Sequence, residues 1–284
     1  MPNKGSVVIT GASTGIGAAC ALYLDKLGYR VFAGIRKADD GERLRRHASA
    51  RIVPMRLDLS DETEIEMAAR NTLEALGDGG LAGLINNAGI AVGGMLEFLP
   101  LHELRRQFEV NVFGQIAVTQ AFLPALRKAR GRIVNISSAS GLISSPFTGA
   151  YAASKFALEA LSDALRMELQ PWKIGVSVVE PGFVRTPIAK KSLAAAEELL
   201  AQLPTEAVQL YGSRMRAVGN ALEREAASGD STAVVVRAVV HALTARRPRT
   251  RYVVGRHTAL QTALARALPD RWRDALIMRQ LGLS

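Results

Sequence analysis

The sequence contains a single cysteine, Cys20, so no internal disulfide can form and no thiolate metal site can be built. This scarcity suits a reducing cytoplasm, which is the location that we expect. The four histidines, His47, His102, His241 and His257, are scattered without the spacing of metal ligands. We therefore expect neither a disulfide scaffold nor a metal centre.

Long uninterrupted apolar runs are also lacking. Glycines such as Gly11 and Gly17 break the N-terminal apolar stretch, which argues against a signal peptide. Residues 81–101 are largely apolar, but Asn86 and Asn87 make them a poor membrane helix. The 284 residues are 48% hydrophobic, which is enough for a single domain with a buried core.

Acidic residues are scarce near the C-terminus. Between residues 237 and 284 there are ten arginines and two acids, which gives +8 of the formal net charge of +10. One interpretation is a solvated helix face. The other is a basic helical extension over about residues 256–284 that weakly contacts an acidic membrane surface or an acidic partner. We expect no nucleic-acid partner, because this region has one tryptophan, one tyrosine and no recognition motif.

Short β-branched runs alternate with amphipathic stretches along the chain. Several runs are continuously apolar, which is typical of parallel strands buried on both faces. The pattern predicts an α/β fold, a doubly wound, seven-stranded parallel sheet in one domain spanning residues 1–284. The predicted strands are Ser6–Thr10, Arg30–Ile35, Arg51–Leu57, Leu81–Asn86, Gly131–Ser137, Ile174–Glu180 and Thr250–Val254. The predicted helices include Thr14–Leu27, Asp61–Leu76, Leu101–Arg127, Tyr151–Leu169 and Ser231–Ala245.

One long insertion follows the sixth predicted strand. It runs to about Asp230 and far exceeds the usual length of a strand–helix connection. Its helical pattern is rich in leucine, so we expect a mobile apolar lid over about residues 187–230, close to the substrate.

A tyrosine and a lysine stand one helical turn apart at positions 151 and 155, downstream of Ser138. Residues at this spacing share a helix face, so the Lys155 ammonium can lie beside the Tyr151 phenol. A nearby cation favours the phenolate, so we expect Lys155 to lower the pKa of Tyr151 from its ordinary value near ~10. Tyr151 would then act as an acid–base group, with Ser138 holding the same substrate oxygen. Taken alone, the pair could equally be a packed ring beside a solvated amine.

The first predicted strand runs directly into a glycine-rich turn, Thr10-Gly11-Ala12-Ser13-Thr14-Gly15-Ile16-Gly17, and then into a helix. Glycines let the backbone turn sharply and approach a pyrophosphate, which the helix N-terminus stabilises. A purely structural turn is the alternative. Its position after the first strand favours a nucleotide site.

These motifs together resemble those of the short-chain dehydrogenase/reductase family, in particular its steroid and retinol dehydrogenase branch. The resemblance extends in order over residues 10–186. It rests on the glycine-rich turn, Asn86-Asn87-Ala88-Gly89, Asn111, Ser138, the Tyr151–Lys155 pair, and Pro181-Gly182-Phe183-Val184-Arg185-Thr186.

The resemblance implies a role for each motif. Tyr151 would exchange a proton with the substrate, Lys155 would also hold the nicotinamide ribose, Ser138 would polarise the substrate oxygen, and Asn111 would hold a water that links Lys155 to solvent. Asn111 as a helix-face residue and Ser138 as a turn residue remain the alternatives. The implied cofactor contacts are Gly11, Ser13, Thr14, Gly15, Ile16, Gly17, Arg36, Asp58, Leu59, Asn87, Ala88, Gly89, Tyr151, Lys155, Pro181, Gly182, Val184 and Thr186. The expected substrate contacts are Ser138, Leu142, Phe147 and Phe183.

The end of the second strand bears on the choice of cofactor. Ile35 stands where a carboxylate would favour NAD, and Arg36 offers a planar cation for the 2′-phosphate of NADP. NADP(H) is therefore favoured, while Asp39 or Asp40 could instead reach the ribose and favour NAD(H).

The expected function is interconversion of an apolar secondary alcohol and a ketone by hydride transfer with tyrosine acid–base catalysis. Apolar residues after the fourth and fifth strands indicate an apolar substrate of steroid, retinoid or lipid type. The alternative function is an NAD(P)-binding regulator without turnover. The resemblance implies a homodimer or homotetramer formed through the helices that contain Asn111 and Tyr151.

Overall fold

The structure, a computed structural model, describes residues 4–283. Its centre is a parallel sheet of seven strands in the order β3-β2-β1-β4-β5-β6-β7. The doubly wound, seven-stranded sheet predicted from the sequence is confirmed, with strand bounds that differ by one or two residues. The strands are β1 Ser6–Ile9, β2 Arg30–Ile35, β3 Ile52–Arg56, β4 Leu81–Asn86, β5 Arg132–Ile136, β6 Gly175–Pro181 and β7 Arg251–Val254.

Alternate residues of the central strands pack against opposite layers of helices, because successive side chains of a strand point to opposite faces. In β1, Val7 and Ile9 join one buried cluster, and Val8 joins the other. Both faces are covered, which explains why these strands are apolar without alternation. The helices are α1 Gly15–Lys26, α2 Ala38–Arg45, α3 Glu62–Leu76, α4 Leu101–Phe108, α5 Gly114–Ala129, α6 Gly149–Glu168, α7 Pro187–Gln202, α8 Thr205–Ser228, α9 Thr232–Thr244, α10 Thr258–Ala267 and α11 Asp270–Gln280.

The strand order reverses at β1, which lies between β2 and β4. In open α/β sheets, ligands bind outside the carboxyl ends of the strands at such a reversal. The turn after β1 and the segment after β4 both lie at this point, so the topology brings the glycine-rich turn and residues 87–89 together.

The predicted helix Leu101–Arg127 is confirmed, but it contains a π-helical turn at Glu109–Phe113 between α4 and α5. Helix α5 begins with Gly114, where an added Cβ would lie 2.2 Å from the carbonyl oxygen of Leu59, in the segment after β3. The extra residue of a π turn shifts the helix face at such a point, and π turns often occur at functional sites. The sequence pattern did not predict this turn.

The long insertion forms α7 and α8, which pack on each other and on the segment after β4. A small apolar cluster joins Met95 to Leu200 of α7 and Met215 of α8, with Phe147 and Tyr211 against it. The insertion is thus an apolar cover in contact with the body of the protein.

The C-terminal region is helical, as expected, but its two helices differ. Thr258, Thr262 and Ala265 of α10 are buried, whereas α11 has no buried residue. Within residues 4–283, no helix is both long enough and apolar enough to cross a bilayer.

Candidate active site

The glycine-rich turn follows β1 with a backbone that only glycine adopts easily. Gly11 has a φ of +64°, and an added Cβ would lie 2.7 Å from Ala88 Cα. At Gly17, an added Cβ would lie 2.3 Å from the Gly11 carbonyl oxygen. The turn is therefore folded tightly on itself and on the segment after β4, which leaves its outer side open to a ligand.

Thr10 and Asn87 tie the two strand ends together. The Thr10 hydroxyl oxygen accepts hydrogen bonds from the backbone N–H groups of Asn87 and Ala88, each at 2.9 Å. The Asn87 side-chain amide donates to the carbonyl oxygens of Thr10 at 2.9 Å and Gly11 at 3.1 Å. The Asn87 side chain therefore fixes the shape of the turn, a structural role that comes in addition to the predicted cofactor contact.

The N-terminus of α1 suits a diphosphate. Its cap residue Thr14 makes no side-chain hydrogen bond to the helix, and the first turn contains no acidic residue. The unpaired backbone N–H groups and the helix dipole favour an anion there. An added Cβ at Gly15 would lie 3.3 Å from Thr186, so the turn and the segment after β6 face each other across the same space. Ser13, Ile16 and Thr186 thus surround a cradle that fits the pyrophosphate of a dinucleotide.

Arg36 directly follows β2, and Asp58 comes two residues after β3. Burial raises the pKa of Asp58, but hydrogen bonds from Ser60 and the charges of Arg36 and Arg56 outweigh it and hold that pKa below its ordinary value. Arg36 is exposed, and Leu59 beside Asp58 is buried. The ionised Asp58 can accept a hydrogen bond from an amino group, and Arg36 remains free to meet an anion.

The two carboxylates that could compete for a ribose differ in their surroundings. Asp40 pairs with Arg43 one turn along α2, whereas Asp39 is exposed in the first turn of that helix. A cleft of about 280 Å³ beside α2 is lined by Arg36, Lys37, Arg45 and Arg56 together with the single carboxylate Glu42. The charge around the end of β2 is therefore mainly positive.

Ser138 and Tyr151 approach each other at the carboxyl end of β5. Ser138 opens a 3₁₀ turn, where its hydroxyl oxygen accepts a hydrogen bond of 3.1 Å from Ser140 N–H. Burial raises the pKa of the Tyr151 phenol above its ordinary value, and a hydrogen bond with the Ser138 side chain lowers it only partly. The expected lowering by Lys155 is therefore corrected for the protein without cofactor: burial dominates, and Tyr151 keeps its proton at neutral pH.

Lys155 is buried one turn further along α6. Its Nζ lies 5.8 Å from the centre of the Tyr151 ring and donates a 2.9 Å hydrogen bond to the Ile136 carbonyl oxygen. Burial lowers the pKa of Lys155 to about 8, and the negative charge of Glu159 opposes that change. The amine is thus close to titrating near neutral pH, although it faces the tyrosine as the sequence predicts.

Asn111 lies in the π turn and is fully buried. Its side chain accepts a hydrogen bond from Ile90 N–H at 2.9 Å and donates to the Ile90 carbonyl oxygen at 3.0 Å and to Ser154 at 3.1 Å. An added Cβ at Gly89 would lie 3.2 Å from Asn111 Oδ1 and 3.8 Å from Lys155 Nζ. The structure therefore brings Asn111, Gly89 and Lys155 together.

Gln107 is a residue of this site that sequence reasoning missed. It is fully buried; it accepts a 2.7 Å hydrogen bond from Val92 N–H and donates to the Ile90 carbonyl oxygen at 3.0 Å. It also contacts the Ser154 hydroxyl at 3.3 Å. Gln107 and Asn111 stand one helical turn apart, and that polar spacing on an apolar face was the available signal.

The segment after β6 is fastened to the C-terminal part of the chain. The Gly182 N–H donates to the Val254 carbonyl oxygen at 2.8 Å, and an added Cβ at Gly182 would lie 2.2 Å from the Thr258 hydroxyl of α10. Val184, which follows, is buried and pairs with Asp230. Pro181 ends β6, so the whole predicted segment 181–186 faces the glycine-rich turn from the other side of the cradle.

The predicted substrate contacts other than Ser138 differ in their surroundings. Phe147 has a φ of +62° and packs edge-on against Tyr211 of the lid, with ring centres 6.3 Å apart. Leu142 is half-buried, and Phe183 is 43% exposed. Phe147 thus lies in the apolar cluster below the lid, and contact of these residues with a substrate stays a prediction.

Comparison with known proteins agrees with this geometry. The family model described as short chain dehydrogenase matches residues 5–197. The chain belongs to the short-chain dehydrogenase/reductase family. Mouse retinol dehydrogenase 5 is 38% identical over 279 residues, which are 95% of this chain and 87% of that protein. Mouse estradiol 17-beta-dehydrogenase 2 is 35% identical over 287 residues, 96% of this chain and 74% of that protein.

Solved structures show the same fold with a bound nicotinamide cofactor. A short-chain dehydrogenase from Burkholderia cenocepacia J2315 in complex with NADP aligns with a TM-score of 0.72 at 25% identity, over 97% of each chain. One from Burkholderia phymatum in complex with NAD aligns with a TM-score of 0.75 at 29% identity, over 88% of this chain and 89% of that one. This short-chain dehydrogenase is therefore an oxidoreductase that acts on CH–OH donors with NAD(P).

The role of the glycine-rich turn in cofactor binding can be tested by a substitution that adds a side chain to it. Gly17→Ala would place a methyl group against the Gly11 carbonyl oxygen, so we expect the turn to open and NADPH affinity to fall at least about tenfold, a loss of ~1.4 kcal/mol. Fluorescence titration with NADPH measures this. The control is Gly219→Ala in α8, where the nearest atom to an added Cβ is Leu193 Cδ2 at 3.5 Å. Equal affinities in both variants would contradict the assignment of the cradle.

Proposed function

We propose that this short-chain dehydrogenase interconverts an apolar secondary alcohol and the matching ketone, with NADP(H) as its preferred cofactor. The observation that carries the proposal is the convergence of Ser138, Tyr151 and Lys155 beside the cradle of the glycine-rich turn. The apolar lid covers the same end of the sheet. The substrate class that fits this cover is a steroid, a retinoid or another lipid-like alcohol, in keeping with the retinol and estradiol dehydrogenases that the chain resembles.

Each residue of the site has a separate role in the proposed reaction. The bound cofactor supplies the hydride exchange with the substrate carbon. Ser138 and Tyr151 hold the substrate oxygen between their hydroxyl groups. In ketone reduction the Tyr151 phenol donates its proton to that oxygen, and in alcohol oxidation its phenolate accepts one. Lys155 supplies a positive charge that favours the phenolate when the reaction requires it.

Because its pKa is raised, Tyr151 enters the reaction as a protonated phenol. A protonated phenol is the form that reduces a ketone, and it persists until the pH rises through the raised pKa. The cation on Lys155 is lost earlier, because burial places the pKa of that amine at about 8. Ketone reduction should therefore be fastest below about pH 8 and decline above it.

Tyr151→Phe tests the assignment of the proton donor. The variant keeps the ring and loses the hydroxyl, so we expect kcat to fall at least about 10³-fold while NADPH binding stays within a few-fold. Steady-state kinetics with a panel of apolar ketones measures the first quantity, and fluorescence titration measures the second. Tyr23→Phe, on the exposed side of α1, is the matched control and should keep wild-type rates. A Tyr151→Phe enzyme that retains a tenth of the activity would refute the mechanism.

The preference for NADP rests on charge at the end of β2. Arg36 is exposed there beside Lys37, and Asp40 is already paired with Arg43. A bidentate contact between arginine and the 2′-phosphate supplies about 1.5–3 kcal/mol, which corresponds to roughly ten- to a hundredfold in affinity.

Replacing Ile35→Asp together with Arg36→Ala should reverse this preference, because the new carboxylate accepts hydrogen bonds from a ribose and repels a phosphate. The measurement is kcat/KM for NADPH and for NADH in the wild type and the double variant. Arg70→Ala, on the exposed side of α3, controls for the loss of one surface charge. A wild type that already prefers NADH would instead assign the ribose to Asp39 or Asp40.

The exposed apolar side chains beside the site suit a second copy of this chain. Phe113 of the π turn is 59% exposed, and Phe156 of α6 is 45% exposed. We propose a homodimer or homotetramer through these helices. Light scattering after gel filtration should give a multiple of the 30.4 kDa chain mass, and Phe113→Glu with Phe156→Glu should give the single mass. A monomeric wild type would contradict this assembly.

The last helix suits a weak contact with an acidic membrane surface. Trp272 in α11 is 72% exposed, and Arg271 and Arg273 flank it in the sequence. We expect the protein to sediment with acidic lipid vesicles at low salt and to detach at high salt. A chain that ends at Leu268 should stay in solution, while α10 and its contact with Gly182 are kept. If the full chain shows no salt-dependent binding, α11 is only a solvated helix.

A further inference from the structure

Four titratable side chains follow one another along a single face of α6. Tyr151, Lys155, Glu159 and Asp163 are spaced four residues apart, so each lies one helical turn from the next. Lys155 is 4% exposed and Glu159 is 7% exposed. The stripe thus continues beyond the catalytic pair to the buried Glu159 and the part-exposed Asp163, neither of which has been given a role in the reaction.

The last residues of the stripe meet a third carboxyl group from the sheet. Glu180 of β6 is fully buried, and its Oε1 lies 3.3 Å from Arg251 Nε of β7. The same guanidinium donates to Glu159 Oε2 at 3.2 Å and to both carboxylate oxygens of Asp163, at 3.0 and 2.8 Å. Three carboxyl groups therefore share one arginine, whose best hydrogen bonds go to Asp163.

The carboxyl oxygens of Glu159 and Glu180 have too few hydrogen-bond donors around them. In the part of the chain that the structure describes, seven buried side-chain atoms have no hydrogen-bond partner. Three of them are Glu159 Oε1 and both carboxyl oxygens of Glu180, and a fourth is Ser137 Oγ close by. A buried, ionised carboxylate without donors is costly, so one proton between the two carboxyl groups satisfies both.

The titration of Glu180 agrees with this geometry. Burial, the charge of Glu159 and the hydrogen bond that a protonated Glu180 would donate to Glu159 together raise the pKa of Glu180 to about 7, against the opposing charges of Arg251 and Arg266. Only a protonated carboxyl group can donate that hydrogen bond. Asp163 does not compete for the proton, because Arg251 and Arg166 hold its pKa below the ordinary value despite some burial.

We propose that Glu159 and Glu180 share one proton in the folded protein, and that the negative charge left on this pair, one helical turn from Lys155, holds Lys155 in its cationic form, so that Glu159 is a positioning residue. The second half rests on the proposed function, because it is that reaction that needs the Lys155 cation. The shared proton is a property of the fold and does not depend on the proposed function.

The charges around Lys155 explain why Glu159 decides its state. From β5 the lysine meets the neutral Ile136 carbonyl, from the π turn the neutral Asn111 amide, and from its own helix the protonated Tyr151. Among the described residues, Glu159 is the group of opposite charge that opposes the effect of burial, which lowers the pKa of Lys155 to about 8. Removing the Glu159 charge should let Lys155 lose its proton at a lower pH.

Glu159→Gln tests the positioning role. We expect the pH at which ketone reduction has fallen by half to move down by about one unit, because one pKa unit is a modest electrostatic change for a neighbouring charge. The pH at which NADPH affinity changes should move down by the same amount. Glu159→Asp keeps a carboxylate, so it should restore most of the wild-type pH profile. Glu168→Gln, on the exposed end of the same helix, is the control and should leave the profile in place. A lower rate with an unmoved midpoint in Glu159→Gln would show a structural role only. If Glu159→Gln does not fold, a Glu159→Asp midpoint displaced from the wild-type value would overturn the role of the charge.

Glu180→Gln tests the shared proton without any enzyme activity. Because the folded pKa of about 7 exceeds the ordinary value of 4.5, the folded protein binds the extra proton between these values and loses stability as pH rises through them. Glutamine keeps the hydrogen-bond donor at every pH. The difference in Tm between Glu180→Gln and the wild type should therefore grow by at least about 2 °C from about pH 5 to about pH 8. A constant difference would overturn the shared proton even if the enzyme reduces ketones as proposed.

Discussion

The contact between the ends of β1 and β4 is the constraint on which the site depends. Thr10 and Asn87 exchange hydrogen bonds across it, and Gly11 lies against Ala88 at a distance that no side chain permits. This contact shapes the cradle and fixes the direction of the segment that follows β4. Since Gln107 and Asn111 hold that segment by Ile90, the position of the catalytic helix relative to the cradle is set from the same place.

Much of the fold could be predicted because its signals are local. Several of the seven strands are continuously apolar runs, as expected of a sheet buried on both faces, and β1, β2 and β4 needed little correction of their bounds. The π turn could not be predicted in this way. It lies next to the point where Gly114 meets Leu59 in the segment after β3, and a periodic apolar pattern does not report this long-range contact.

In the candidate site, too, local features could be predicted from the sequence and features that depend on long-range packing could not. Tyr151 and Lys155 are neighbours on one helix, so sequence spacing was enough to pair them. The electrostatics around them were not predictable, because the burial of both groups and the carboxyl groups of Glu159 and Glu180 depend on how α6 packs against β6 and β7. The expected lowering of the Tyr151 pKa was wrong in the protein without cofactor, since spacing gives the distance of a charge but not the loss of water around it.

The packing of Thr258 against Gly182 has a consequence for the way the protein is made. The segment after β6 forms one wall of the cradle, yet it is fastened by β7 and by the first residue of α10. A nascent chain therefore completes the Rossmann sheet and the nucleotide cradle only after residue 258 has left the ribosome. Until that moment β6 is an unpaired edge of the sheet, and one wall of the cradle is not yet fastened.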